Sequence, residues 1–211
     1  QYNRDLFEPA TIQRFVQHFQ NLLQSVIANP DQPISALAIL NEAEREQVLI
    51  EWNNTASVYP EDQCIHQLFE AQAARTPEAI AVVSEQGELT YDELNRRANQ
   101  LAHALKKQGV GPDSLVGICV DRSVELIVGL LGILKSGGAY VPLYPTYPAD
   151  RLAFMIADSG VRVLVTQWHW SQQLPSSDTE MILLDRDWVE ISQENEKDIV
   201  SGVLAKNLAY I

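Results

Sequence analysis

Short apolar runs alternate with amphipathic segments between residues 115 and 166, and no other feature restricts the fold of this chain as strongly. The runs 115–120, 139–143 and 161–166 are rich in Val, Ile and Leu and show no polar alternation. Strands of this kind are buried on both faces, as in a parallel sheet covered by helices. The sequence therefore predicts an α/β fold with a mostly parallel sheet and flanking helices.

The segments before and between these runs carry the spacing of helices. Apolar residues at helical spacing predict helices over 65–75, 124–135 and 149–158, and a further helix starts at Thr90. Thr90 and Glu93 have the spacing of a capping box, and Gly109 is the expected left-handed residue after that helix. A strand over 79–84 and the turn 85–88 precede it. The tail 171–211 is predicted to be weakly structured or to cover the sheet edge, with one strand-like run at 181–184.

The N-terminal part has a different pattern. Apolar residues recur at three- and four-residue spacing from Ile12 to Ile27, which predicts one helix from Pro9 to about residue 29. A lone amphipathic helix of this length is marginal in water, so we expect its partner to lie upstream of Gln1. Asn41 and Glu44 indicate the start of a second helix, and residues 53–62 read as an exposed connection.

Charge and composition exclude several classes of partner. The 211 residues hold 28 acidic and 15 basic side chains, a net charge of −13, which disfavours nucleic acid and anionic lipid. The longest apolar run, 126–134, is much shorter than the ~20 residues that span a bilayer, so no membrane association is expected. Cys119 lies inside an apolar run and is expected to be a buried thiol, which favours the cytoplasm.

The spacing of polar residues predicts no catalytic, cofactor-binding or metal site. Residues 132–138 almost form a phosphate-binding loop, but Gly138 replaces its lysine and the segment ends a helix, so we interpret it as a helix C-cap with Lys135 near the negative end of the dipole. Ser123 is expected to cap a helix, and Asp121 to pair locally with Arg122. The four histidines, His18, His66, His103 and His169, share no ligand spacing. The segment 168–170 is expected to pack rather than to stack on a ligand.

Two longer motifs carry a resemblance to a known family. Residues 89–102, Leu-Thr-Tyr-Asp-Glu-Leu-Asn-Arg-Arg-Ala-Asn-Gln-Leu-Ala, closely resemble the first core motif of adenylation domains of nonribosomal peptide synthetases. Residues 134–143, Leu-Lys-Ser-Gly-Gly-Ala-Tyr-Val-Pro-Leu, with 145, 147–148 and 151–152, resemble the second. Tyr144 departs from the Asp that is usual there. The motif positions expected to be structural are Thr90, Tyr91, Glu93, Leu94, Ala98, Lys135, Gly137, Gly138, Tyr140, Pro142, Pro145 and Arg151.

The resemblance extends to both sides of these motifs. Residues 69–82 are similar to the opening of an adenylation domain, residues 2–7 with the first helix look like the end of a condensation domain, and 41–55 resemble the linker between the two. It implies a condensation tail at 1–29, a linker at 30–62 and the first part of an adenylation domain at 63–211. The chain starts without Met and ends on an apolar run, 208–211, that reads like a strand just begun, so we expect a fragment.

The resemblance also implies a function for the parent protein. Such a synthetase activates an amino acid with ATP and Mg²⁺ as the aminoacyl-AMP and loads it on the phosphopantetheine of a carrier domain. Its phosphate loop, substrate pocket and catalytic lysine would follow residue 211, so the 211-residue chain is expected to be an inactive scaffold whose partners are the condensation, carrier and remaining adenylation parts.

Three alternatives stay open. The first is a non-catalytic module that docks other domains through Phe15, Phe19, Leu22 and Leu23. The second is a related acyl-CoA or aryl-acid ligase, which would not carry the condensation-like head. The third is a generic nucleotide-binding α/β protein, against which the missing glycine fingerprint counts.

Overall fold

The computed structural model describes residues 2–85, 87–175 and 178–211. Gln86, which belongs to the predicted turn 85–88, lies outside the described residues. The chain forms two compact units, Gln1–Tyr59 and Pro60–Ile211. Within the described residues, no helix is both long enough and apolar enough to cross a membrane.

The first unit is helical. Helix α1 spans Pro9–Ala28 as predicted, starting with proline in its first turn, and none of its residues is buried. A 3₁₀ turn, Ile34–Ala36, leads to α2, Glu42–Glu46, which continues as a single π turn, Gln47–Glu51. The predicted capping box is present, because the Asn41 side chain accepts from the Glu44 amide and the Glu44 carboxylate accepts from the Asn41 amide.

The second unit alternates helices and strands. Its elements, in chain order, are α3 Ile65–Arg75, β1 Ile80–Ser84, β2 Gly87–Thr90, α4 Tyr91–Lys107, β3 Leu115–Cys119, α5 Val124–Ser136, β4 Ala139–Pro142, α6 Ala149–Ser159, β5 Val163–Thr166, α7 Trp168–Ser171, β6 Glu180–Leu183 and α8 Trp188–Ile191. Strands β1 and β2 form an antiparallel pair. The other four form a parallel sheet in the order β4-β3-β5-β6, which confirms the predicted fold class.

The apolar strands are buried on both faces, which explains their lack of polar alternation. Alternate residues of β3 and β5, such as Ile118 and Val165, pack in a core that includes α4 and α5. Their neighbours Cys119 and Leu164 pack in a second core that includes α6. Helices α4 and α5 approach closely at Gly132, where a Cβ atom would lie 2.7 Å from Leu101.

The acidic tail is more ordered than the sequence suggested. Strand β6 pairs with β5 and forms one edge of the sheet. At the opposite edge, the amide of Tyr140 in β4 donates to the Ala209 carbonyl, and the Ile211 amide donates to the Tyr140 carbonyl. The predicted start of a strand at residues 208–211 is present only as an isolated parallel bridge between Tyr210 and Tyr140 of β4.

Candidate functional site

A cleft of about 630 Å³ lies at the carboxyl end of β3 and β4, where open α/β sheets bind ligands. Its floor is apolar and includes Leu126, Leu130 and Pro142, while Asp121 and Arg122 supply charges. The Tyr140 and Tyr210 rings stack at its edge with centroids 5.6 Å apart. The arrangement offers an apolar surface with a charged rim, and no nucleophile and base are paired in its lining.

The sheet changes its winding direction between β3 and β5, and the chain's own side chains fill that point. The Thr166 hydroxyl donates to the Cys119 carbonyl at 2.7 Å, and the Gln167 side chain accepts from the Asp121 amide at 3.0 Å. The Trp170 indole donates to Asp121 Oδ1 at 2.9 Å. These bonds satisfy the groups at the crevice, so the open cleft lies toward β4 instead.

Two local predictions at this edge are wrong. Asp121 contacts His169, with Nε2 and Oδ2 3.1 Å apart, and not its neighbour Arg122. Adjacent side chains after a strand point to different sides, which favours the more distant partner. Ser123 does precede α5, but its buried hydroxyl makes no capping bond. Its φ of −144° differs from the −73° of the working cap Thr90, so the hydroxyl is turned away from the first amides of the helix.

The residues of the first motif lie at the start of α4. The Thr90 hydroxyl accepts from the Glu93 amide at 3.2 Å, and Glu93 Oε2 accepts from the Thr90 amide at 3.0 Å. These bonds also hold the pKa of Glu93 below its usual range. The Tyr91 ring packs on Phe69 with centroids 5.7 Å apart, and Leu94 and Ala98 are buried. All five residues contribute to the packing and capping of α4.

The residues of the second motif follow the end of α5. Gly137 adopts a φ of +94° as the C-cap, which agrees with the interpretation of 132–138 as a helix end. A Cβ on Gly138 would lie 2.8 Å from Val110. Further along, Pro142 and Pro145 line the cleft, and the Arg151 guanidinium lies 4.2 Å from the centroid of the Tyr147 ring.

Lys135 has a larger role than a partner for the helix dipole. Its side chain is fully buried, and its Nζ donates to Glu70 of α3 and, at 3.1 Å, to Asp198. Asn95 and Asn99 of α4 donate to the same Asp198 oxygen at 2.9 and 3.0 Å. We call these five residues the ion cluster. It joins α3, α4 and α5 to the tail.

Burial and charge shift the acidic pKa values of the ion cluster in opposite directions. Burial raises the pKa of Glu70, although Lys135 opposes the shift. Burial would also raise the pKa of Asp198, but the bonds from Asn99 and Asn95 and the charge of Lys135 together hold it below its usual value. Nearby His66 has its pKa lowered by burial and by Lys135. In this cluster, the positive charge of Lys135 is balanced by the carboxylates of Glu70 and Asp198.

Residues 132–138 do not fit the phosphates of ATP. The amides of residues 132–138 lie at the C-terminal end of α5, which disfavours an anion, and Lys135 is already neutralised. Over the described residues, no group of three His, Cys, Asp or Glu side chains could hold a metal ion.

Sequence reasoning missed Glu70 and Asp198 as partners of Lys135, and it missed Asp113. Asp198 lies 63 residues from Lys135 along the chain, so no local spacing signals the contact. Asp113 has a φ of +60°, which is unusual for aspartate, and its position between Pro112 and Ser114 in a turn was the only available signal.

Comparison with family models gives two matches. The model described as AMP-binding enzyme matches residues 69–210. The model described as condensation domain matches residues 1–49.

Curated relatives match the chain over its whole length. Linear gramicidin synthase subunits D and C of Brevibacillus parabrevis are 46% and 50% identical to it, and chondramide synthase cmdD of Chondromyces crocatus is 45% identical. The chain spans only 4%, 3% and 6% of the length of these proteins.

Solved structures show the same fold. A crystal structure of the nonribosomal peptide synthetase FmoA3 matches 97% of the chain and 22% of its own, with a TM-score of 0.72 and 29% identity. A second form of that protein, with α-methyl-L-serine-AMP bound, matches with a TM-score of 0.71 and 29% identity, over 97% of this chain and 23% of its own. The NpsA N-terminal subdomain of Klebsiella oxytoca, 20% identical, matches 67% of the chain and 35% of its own with a TM-score of 0.57.

Proposed function

The chain belongs to the AMP-binding enzyme family, and from this membership we propose that it is the part of a nonribosomal peptide synthetase where a condensation domain joins an adenylation domain. The observation that carries the proposal is the identity of 45–50% to the gramicidin and chondramide synthases over the whole of this chain. That continuous stretch includes both family matches. The boundaries 1–29, 30–62 and 63–211 remain our prediction for the tail, the linker and the adenylation part.

The whole synthetase, in this proposal, activates an amino acid with ATP and Mg²⁺ and transfers it to a carrier domain's phosphopantetheine thiol. That thiol is the nucleophile toward the activated acyl group. Two features support the assignment: the apolar cleft at the carboxyl end of the sheet, and the bridge that brings residues 209–211 to its edge. The free thiols of Cys64 and Cys119 agree with a cytoplasmic site of action.

The role of the 211 residues themselves is a scaffold. Phosphoryl chemistry depends on positioned charges around the phosphates, and in this proposal the remainder of the adenylation domain supplies them. The three flanking parts of the synthetase, its condensation domain, its carrier domain and the remainder of its adenylation domain, are the proposed partners.

Amino-acid-dependent exchange between ATP and pyrophosphate tests the proposal. A longer protein containing this chain and the following adenylation residues should catalyse exchange with at least one amino acid, and the 211-residue chain should not. A longer protein that is folded but inactive with every amino acid would contradict amino-acid activation. Activity with an aryl or fatty acid instead would indicate the related ligase. Exchange by the 211-residue chain would contradict the scaffold role.

One observation favours a second candidate, a docking module. Helix α1 buries none of its residues, and Phe15, Phe19 and Leu23 are exposed, Phe19 by 60%. If this face docks another synthetase domain, the isolated chain should bind that domain, and Phe19→Asp should abolish binding. The matched change Gln17→Asp adds the same charge on the opposite face of α1 and should leave binding unchanged.

A further inference from the structure

The last twenty residues, which we call the return segment, run from α8 back to the edge of β4. Of the contacts that hold the segment, two sets determine its path. The first is the ion cluster. Next to it, the side-chain amide of Asn99 donates to the Glu196 carbonyl at 2.7 Å, and the side-chain amide of Gln100 donates to the Ser192 carbonyl at 2.8 Å. The second is Asp113, in the turn between α4 and β3. Only the second lies next to the bridge with β4.

Asp113 occupies a backbone position that favours glycine or asparagine. The Ser114 amide donates to the Gly111 carbonyl at 2.9 Å and closes a turn with Pro112 at its second position. Proline suits the second position of both type I and type II turns, but only type II has a positive φ at its third position. Asp113 adopts a φ of +60° there, and no other non-glycine residue in the described part of the chain has a positive φ. Aspartate is tolerated in this conformation at some cost, so its carboxylate needs a separate reason.

The carboxylate supplies that reason through two bonds to the return segment. Oδ2 accepts from the Asn207 side-chain amide at 2.8 Å, and Oδ1 accepts from the Leu208 backbone amide at 2.9 Å. Asn207 in turn accepts from the Leu204 amide at 2.8 Å, which closes a local loop. The next residue, Ala209, accepts from Tyr140 of β4. The position of Asp113 therefore fixes the chain directly before it joins the sheet.

We propose that Asp113 is a positioning residue that sets the register of residues 209–211 on β4, and through it the path by which the chain enters the nucleotide site. The inference rests on the proposed function, in which that site follows this strand. The bonds to Asn207 and Leu208 compensate the backbone strain of Asp113.

Hydrogen exchange in the 211-residue chain tests the register directly. In Asp113→Gly, which suits the turn but removes both acceptors, exchange of the Leu208 and Ile211 amides should speed up about tenfold, while Ile118 in β3 should be unchanged. Asp113→Asn keeps one acceptor and should change the exchange less. Ser114→Ala removes the Ser114 hydroxyl bond to the Gly111 amide and serves as the control for turn disruption. Unchanged exchange at Leu208 and Ile211 in Asp113→Gly would overturn the proposal.

The path into the nucleotide site is tested in the longer synthetase. Asp113→Gly should raise the KM for ATP at least about fivefold and change kcat less, with partial recovery in Asp113→Asn. A lower kcat with an unchanged KM for ATP would indicate a merely structural role and overturn the positioning role. If the unmodified longer protein shows no exchange between ATP and pyrophosphate, the proposed function fails. The hydrogen-exchange rates of the backbone amides would still decide whether Asp113 sets the register.

Discussion

Replacing Lys135 by Met should destabilise the second unit strongly, because it removes the positive charge that compensates the carboxylates of Glu70 and Asp198. Met has a similar length, so the change leaves little cavity and isolates the electrostatic effect. Removal of one partner from a buried ion pair costs about 3–5 kcal/mol. Asp198 is 52% exposed at its side chain and is screened by water, so we expect a loss near the lower limit, about 3 kcal/mol.

The loss of unfolding free energy in Lys135→Met should depend on pH, and the pKa of Glu70 determines whether it grows or shrinks as the pH rises. Burial already raises the pKa of Glu70, and without Lys135 this pKa should rise further. A carboxyl group whose folded pKa is raised stabilises the fold below its unfolded pKa, and this stability is lost as the pH rises through the folded pKa. Lys135→Met should therefore be more destabilising at pH 8 than at pH 5.

Urea unfolding followed by tryptophan fluorescence measures this. A Trp52→Phe background removes the tryptophan of the first unit and leaves Trp168, Trp170 and Trp188 as reporters of the second. Lys107→Met is the matched control, since Lys107 pairs with Glu194 of the same tail but is 69% exposed, and it should cost at most about 0.5 kcal/mol. Equal effects of the two substitutions, or a loss below about 1 kcal/mol for Lys135→Met, would refute the reasoning.

Two further predictions concern single side chains. Burial raises the pKa of the Cys119 thiol to about 11, so its stabilising contribution is complete below the unfolded value near 9 and is lost as the pH rises toward 11, on the order of 2 kcal/mol. Urea midpoints should fall more between pH 8 and pH 10.5 for the parent than for Cys119→Val, and equal losses would contradict this. Thr90→Ala should destabilise the second unit by about 1 kcal/mol by removing the N-cap of α4, whereas Thr90→Ser should restore most of it. A thermal melt that is unchanged in Thr90→Ala would show that the cap is dispensable.

The sequence predicted what depends on neighbours in the chain. The capping boxes at Thr90 and Asn41 and the C-cap at Gly137 each follow from residues within four positions, and all three are present. Ser123 shows the limit, because its residue type suits a cap but its backbone angle does not. Whether a polar side chain bonds locally depends on a torsion angle that composition does not reveal.

Contacts between distant residues could not be predicted in the same way. Lys135 was interpreted from its own helix, yet its partners come from α3 and from the tail, 65 and 63 residues away. Asp113 and Leu208 lie 95 residues apart. Such pairs depend on how the elements pack, and a single sequence contains no spacing that reports them. The sheet was easier to predict, because each strand is a continuous apolar run and such runs indicate burial on both faces.

The proline at the end of β4 limits which chains can add to that edge of the sheet. Alternate residues of β4 direct their backbone N–H and C=O groups away from β3, toward the open edge. Tyr140 is one of them, and it donates to the Ala209 carbonyl and accepts from the Ile211 amide. Pro142 is the next residue on that side, and it has no amide hydrogen to donate. At this edge, the backbone groups of Tyr140 are already bonded, and Pro142 can accept a hydrogen bond from an added strand but cannot donate one. The edge is thereby protected against the strand-to-strand pairing that leads to domain swapping and amyloid growth.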